Sequence, residues 1–266
     1  MSKILALISA QWRVAMSYRL QTLVSFGGLV FTVVPLFFIA QAVQPVMENA
    51  IRTEGGNAFG FLLVGTIALL LVTTALSVIP SALASGIGSG TLEALLSTPT
   101  PMPTLLVGIS AFPLVMATLR AGVLLAGGWL LGVSIAPASL PLALVILAVI
   151  VLAHAAIGLI SGAMVLAFRT AGPLSRLVLI ASSLLGGVYF PTHVIPSWLR
   201  AVSEVLPLSY GLRALRPVLL QGASIHDVAP DFLILLGETA LLLGLGVGSF
   251  SFAFRYARRQ GTLAQY

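Results

Sequence analysis

The sequence predicts an all-α, polytopic membrane protein of six transmembrane helices. Three observations carry that reading. Of the 266 residues, 59% are hydrophobic and 8% are charged, where a soluble domain carries about 25% charged residues. The apolar residues gather into runs of bilayer-crossing length, roughly 20 residues. The basic residues sit at the ends of those runs, as membrane topology demands.

The first run spans about Leu23 to Ala42 and contains Pro35. The second spans Phe59 to Ile79, with Pro80 as its stop. The third runs from Thr104 to Ile135 through Pro113 and Arg120, the fourth from Leu140 to Phe168, the fifth from Leu174 to Phe190 and the sixth from Phe232 to Phe254. Strands of a membrane barrel are shorter and alternate in polarity, which these runs do not. Backbone groups in lipid must be paired within the segment, so helix is the remaining choice. Ala40-Gln41-Ala42 resembles a leader cleavage site, but the apolar run before it exceeds a signal core and a long segment precedes it. It is read as a retained helix.

The basic residues set the orientation. With the N-terminus inside, Lys3, Arg13, Arg19, Arg169, Arg176, Arg255, Arg258 and Arg259 lie inside, and Arg52, Arg200, Arg213 and Arg216 lie outside. That bias places both termini in the cytoplasm of a cell whose inner or plasma membrane holds the chain. The net charge of +6 is thereby a topology signal and not a nucleic-acid surface. The organisation is one permease-like domain over 1–266: an interfacial segment 1–22, a six-helix bundle 23–254 and a cytoplasmic tail 255–266.

Three parts lie outside the hydrocarbon. Residues 3–22 form an amphipathic helix with Ile4, Ile8, Trp12 and Ala15 on one face, suited to the cytoplasmic interface or to packing on the bundle. The loop after the second run opens with Gly86, Gly88 and Gly90. It continues Thr91-Leu92-Glu93-Ala94-Leu95-Leu96-Ser97-Thr98-Pro99, a two-turn helix capped by Thr91 and ended by Pro99. Its leucine face suits docking to a partner or folding back on the bundle. The segment from Pro191 to Asp231 is broken by Pro191, Pro196, Pro207, Pro217 and Pro230 into two short amphipathic stretches, 197–205 and 209–220. Tyr189, Trp198 and Tyr210 suit an interface. This is a re-entrant helical hairpin on the outer side, before the last helix.

Two of these segments carry a resemblance. Gly90–Pro99, GTLEALLSTP, resembles the first cytoplasmic loop of ABC-type export permeases of the second class, the membrane subunits of polysaccharide, antibiotic and drug exporters. Gly187–Arg216, GVYFPTHVIPSWLRAVSEVLPLSYGLRALR, resembles that family's signature before its last helix. The pattern is Phe190-Pro191, Ile195 to Leu199 with Pro196 and Trp198, Leu206 to Tyr210 with Pro207, and then Arg213 or Arg216. Helix count and termini agree, so the resemblance covers the chain. It departs in one place: Pro101 and Pro103 follow Thr98-Pro99, where the family often has a basic residue.

The resemblance implies a permease that works as a homo- or heterodimer on two cytoplasmic ATPase subunits, with ATP and magnesium on those partners and no cofactor in this chain. It implies that Thr91, Leu92, Glu93, Leu95 and Leu96 couple to the ATPase, by motion in the 86–103 loop. The chain's own residues agree. A P-loop needs a lysine after glycines, and Lys3 is the only lysine. The expectation is a transport subunit and not an enzyme, with no catalytic and no metal-ligating residue.

Ionisable residues within membrane helices are functional candidates. Arg120, His154 and Glu238 are three. Arg120 either pairs with Glu238, lines the pathway or bonds to backbone, while His154 needs only a serine or carbonyl partner. Gly128 with Gly132, Gly158 with Gly162 and Gly244 with Gly248 have the spacing for close helix approach, within the subunit or at a dimer seam. The alternative function is a secondary transporter driven by an ion gradient, which usually shows inverted repeats and midplane carboxylates. No repeat is evident, and Glu238 is the single carboxylate in the spans. An enzyme would need several converging Asp, Glu, His or Cys. The chain has seven acids, three histidines and no cysteine.

Overall fold

A computed structural model describes residues 9, 12, 13, 17, 19–91, 101–168 and 173–259. Among them there is no strand. The α-helices are α1 (Arg19–Gly27), α2 (Val30–Met47), α3 (Ala58–Gly88), α4 (Met102–Leu130), α5 (Leu140–Phe168), α6 (Pro173–Leu185), α7 (Ser197–Ser203), α8 (Pro207–Arg216) and α9 (Ile225–Arg259). A π-helical turn, Pro217–Gln221, follows α8.

Five helices are long and apolar enough to cross a bilayer: Val24–Met47, Ala58–Gly88, Met102–Leu130, Pro137–Phe168 and Ile225–Arg259. The fifth predicted run is shorter than expected. α6 ends at Leu185, where the chain bends through 186–190 and Gly187 takes a left-handed φ of 79°. Its 13 residues reach about 20 Å at 1.5 Å each, short of the roughly 30 Å hydrocarbon core. Two other ends differ from expectation. Pro80 does not stop the second helix, because α3 runs through it to Gly88; apolar surroundings and neighbouring helices make prolines tolerable in membrane helices. The last helix starts at Ile225, ahead of Pro230, with the Asp227 carboxylate accepting from the backbone and the hydroxyl of Ser224 at 2.8 Å each.

α3 is the central post. In its most apolar window 61% of residues are buried, against 17% for α4 and α9. Three buried apolar clusters follow it from end to end. Phe61 and Leu63 pack with α2 and α4, Ala68 and Val72 with α5 and α8, and Ile79 and Leu83 with α5 and α9. The outward faces remain apolar: Phe31 is 83% exposed and Leu130 78%. In water a surface of that kind would aggregate, whereas hydrocarbon solvates it. The hydroxyls of Thr66, Thr73 and Thr74 donate to the carbonyls four residues earlier, so α3 carries them without unpaired donors.

Small residues set the helix spacing. A Cβ on Gly158 of α5 would stand 2.7 Å from the Ala75 carbonyl oxygen of α3. Gly162 and Gly128 are likewise pressed by Ile79 and Leu63, so these sites serve packing within the subunit. Gly132 sits in a turn with φ 96°, and Gly244 and Gly248 face open space. Gly246 between them makes the contact, against the Ala156 carbonyl oxygen. Most of the amphipathic segment 3–22 lies outside the described residues. Of it, Trp12 meets Phe112 of α4 edge-on at 6.2 Å, and the Ser17 hydroxyl donates to the Arg13 carbonyl.

Gly158→Val forces α3 and α5 apart and is expected to destabilise the protein by about 1–3 kcal/mol. Gly244→Val, in open space, is expected to leave the melting midpoint in detergent unchanged. Equal midpoints for the two variants would contradict this packing.

Candidate functional site

The chain between α2 and α3 is folded by three local devices. Gly55 and Gly56 adopt left-handed φ values of 113° and 65° and reverse the chain. Asn57 caps α3, its side-chain oxygen accepting from the Gly60 N–H at 3.0 Å. Gln44 of α2 reaches across, donating to the Gly56 carbonyl at 2.8 Å and accepting from the Ala58 N–H at 2.7 Å. Together these turn Glu54 inward, where it is 8% exposed.

Arg216, the last residue of α8, meets it there. It is 1% exposed. Its Nη1 donates to Glu54 Oε2 at 2.8 Å. Its Nη2 donates to the carbonyls of Gly187 at 2.7 Å, Val188 at 3.1 Å and Phe61 at 3.2 Å, and its Nε to the Phe61 carbonyl at 3.3 Å. The guanidinium carbon lies 3.4 Å from the Phe61 ring centroid, a cation–π geometry. Burial pushes the Arg216 guanidinium down to about 10 against the opposing pull of Glu54, so it remains cationic at neutral pH. One side chain thus joins the α2–α3 turn, the start of α3, the bend after α6 and the hairpin.

The hairpin is held by further bonds. The Ser203 hydroxyl donates to the Leu185 carbonyl at 2.7 Å and lies 3.2 Å from the Ser209 hydroxyl. Arg200 donates to the carbonyls of His193 and Ile195. The motif prolines stand at element starts: Pro191 before the short turn 192–194, Pro196 before α7, and Pro207 as the first residue of α8, where a missing N–H costs nothing. Trp198 is 73% exposed. Arg213 Nε forms an ion pair with the Asp231 carboxylate of α9 at 3.2 Å without a hydrogen bond, the guanidinium lies 4.4 Å from the Tyr210 ring centroid, and the pair is about one-third exposed. A polar cleft of about 540 Å³ opens beside it, lined by Glu54, His193, Arg213, Asp227 and Asp231 among others.

The intramembrane candidates are separate from one another. Arg120 of α4 donates to the Ser25 hydroxyl of α1 at 3.3 Å, and its Nε has no partner. No ion pair between Arg120 and Glu238 occurs among the described residues. His154 is fully buried; its Nδ1 lies 2.7 Å from the Ile150 carbonyl of its own helix, and its Nε2 has no hydrogen-bond partner. Glu238 is half-buried with Oε2 unpartnered. Thr91 is exposed, its hydroxyl 2.8 Å from that of Ser89. Leu92, Glu93, Leu95 and Leu96 lie outside the described residues. Among the described residues no three His, Asp or Glu converge as metal ligands.

Sequence reasoning named Arg216 only as an alternative to Arg213 and missed Glu54 and Gln44. The signal for Arg216 was present. Leu208, Leu212 and Arg216 recur every four residues, so a helix there buries all three on one face. No local pattern points to Glu54, which is 162 residues away.

A family model described as ABC-2 type transporter matches residues 3–220. Among curated proteins none matches.

Removing one partner of a buried ion pair leaves the other uncompensated, a loss of about 3–5 kcal/mol. Arg216→Ala is expected to lose about 3–5 kcal/mol of stability, read as a lowered melting midpoint in detergent. Arg213→Ala, at a pair one-third exposed, is expected to lose at most about 1 kcal/mol. Equal losses would contradict the ranking of the two arginines.

Proposed function

The chain belongs to the ABC-2 type transporter family, and from that premise we propose that it is the permease subunit of an ATP-driven exporter, paired with a second permease subunit and powered by separate cytoplasmic ATPase subunits. The observation that carries the proposal is the family match over residues 3–220, nearly the whole chain. The single lysine, Lys3, supports a separate ATPase, since no P-loop can be built around it.

In this reading the chain crosses the inner or plasma membrane six times. α6 begins the fifth passage and the bent segment 186–190 completes it, which returns both termini to the cytoplasm. α7 and α8 then form a hairpin that re-enters the outer half, its broken backbone covered by protein. The loop 86–103 joins α3 and α4 at the cytoplasmic end and docks in a groove of the ATPase through Thr91, Leu92, Glu93, Leu95 and Leu96. α3 is rigid and central, and Phe61 near its far end accepts from Arg216. From Phe61 to Gly88 it spans about 40 Å at 1.5 Å per residue. A push on the loop therefore tilts the post that anchors the outer hairpin, and access to the pathway changes with it.

Co-expression with candidate ABC ATPase subunits tests the proposal. The chain is expected to co-purify with them and to alter their ATP hydrolysis. Leu92→Asp combined with Leu95→Asp is expected to reduce co-purification at least tenfold without changing the melting midpoint. The chain lacks cysteine, so Ser89→Cys and His226→Cys can be labelled cleanly, and they are expected to react from opposite sides of the membrane. Cargo movement by the chain alone under a proton gradient would contradict the proposal.

A further inference from the structure

α4 packs on α3, and α9 packs on α5, while α3 and α5 pack on each other. α4 and α9 therefore splay and leave a lateral groove of about 610 Å³ between them, within the 300–1,000 Å³ range of ligand sites. Ile79 of α3 and Leu159 of α5 form its floor, and α4 and α9 its walls. The lining is almost wholly apolar, so water has few partners there.

The groove has the depth of one leaflet. It follows α4 from Met102 to Leu114 and α9 from Arg255 back to Val247. At 1.5 Å per residue these are about 18 Å and 12 Å. Half of a hydrocarbon core is about 15 Å. At the polar end stands Arg255, the one charged residue among the described residues of the lining. Arg258 and Arg259 follow in the same helix, and Arg258 lies over the Phe254 ring at 5.9 Å. α3, α4 and α5 contain no Asp or Glu at all, and the nearest acid on α9 is Glu238. Among the described residues of the walls and floor, no acid opposes the basic end.

We infer that this groove binds an anionic diacyl phospholipid from the leaflet at the Arg255 end, its acyl chain lying between α4 and α9 and its phosphate at Arg255. A basic end on an apolar intramembrane cleft is the chemistry that selects an anionic headgroup. The site is separate from the outer hairpin, lying at the opposite end of α9. It draws only on the bilayer as solvent, so it stands independently of coupling to an ATPase.

The test is lipid retention by the full chain, purified in detergent and titrated with phosphatidylglycerol or phosphatidylcholine of the same acyl chains, read by native mass spectrometry. The wild-type chain is expected to retain phosphatidylglycerol preferentially. Arg255→Ala is expected to lower that retention about fivefold, and Arg200→Ala at the other end is expected to leave it unchanged. Val107→Trp fills the groove and is expected to reduce retention of both lipids. Arg255 and Val107 are exposed, so neither change disturbs the core. Equal retention of the two lipids by the wild type, equal behaviour of Arg255→Ala and Arg200→Ala, or a change of oligomeric state instead of lipid retention with Val107→Trp would overturn the inference.

Discussion

The guanidinium of Arg216 is the constraint on which the outer half of the molecule depends. A chain in lipid can break its helices only where something inside supplies the missing hydrogen bonds. This chain breaks at the α2–α3 turn, after α6 and after α8. Arg216 serves the first two directly, with Glu54 on one side and the Gly187 and Val188 carbonyls on the other. It also accounts for the Phe61 carbonyl. Five donors in a rigid plane reach these four acceptors, and a lysine would bring three on a flexible stem. Gly65 belongs to the same device, because a Cβ there would overlap the Val188 carbonyl oxygen that Arg216 holds.

α3 gives that knot its reach. Its buried residues recur from Ala58 to Leu83, and its two ends face different tasks. Phe61 lies at the knot, and Gly88 leads into the loop that carries Thr91. Close contacts at Gly158 and Gly162 fix α5 against it, and the Ser175 hydroxyl bonds to both the Leu76 carbonyl and Ser161, which draws α6 in as well. The groove between α4 and α9 lies beside the same post.

The fold class was legible because hydrocarbon imposes it: long apolar runs with arginines at their ends leave helix as the choice. Helix ends were harder to read. Pro80 is a stop signal in water, yet apolar packing on both sides carries α3 past it. α6 stops early because Gly187 can take the left-handed turn that the knot needs, and a glycine in an apolar run does not announce that use. The hairpin was legible from its prolines: Pro191, Pro196, Pro207 and Pro217 each stand at the start of an element, while Pro230 lies inside α9. Arg216 was half legible. Its leucine-matched spacing marks a buried face, but its partner Glu54 sits in a distant turn, and long-range pairing leaves no local trace. Arg120 was legible as a costly charge, while its neighbour Ser25 was not, for the same reason.

Hydrogen–deuterium exchange on Arg216→Leu, compared with the wild-type chain in lipid nanodiscs, tests the role of the guanidinium most directly. Leucine keeps the site apolar and removes every donor. If Arg216 ties the outer segments together, amides of 48–57, 186–196 and 203–222 lose protection in concert, while α3 beyond Ala68 and the paired stretch of α5 stay protected. Loss confined to the turn around residue 216 would contradict that role.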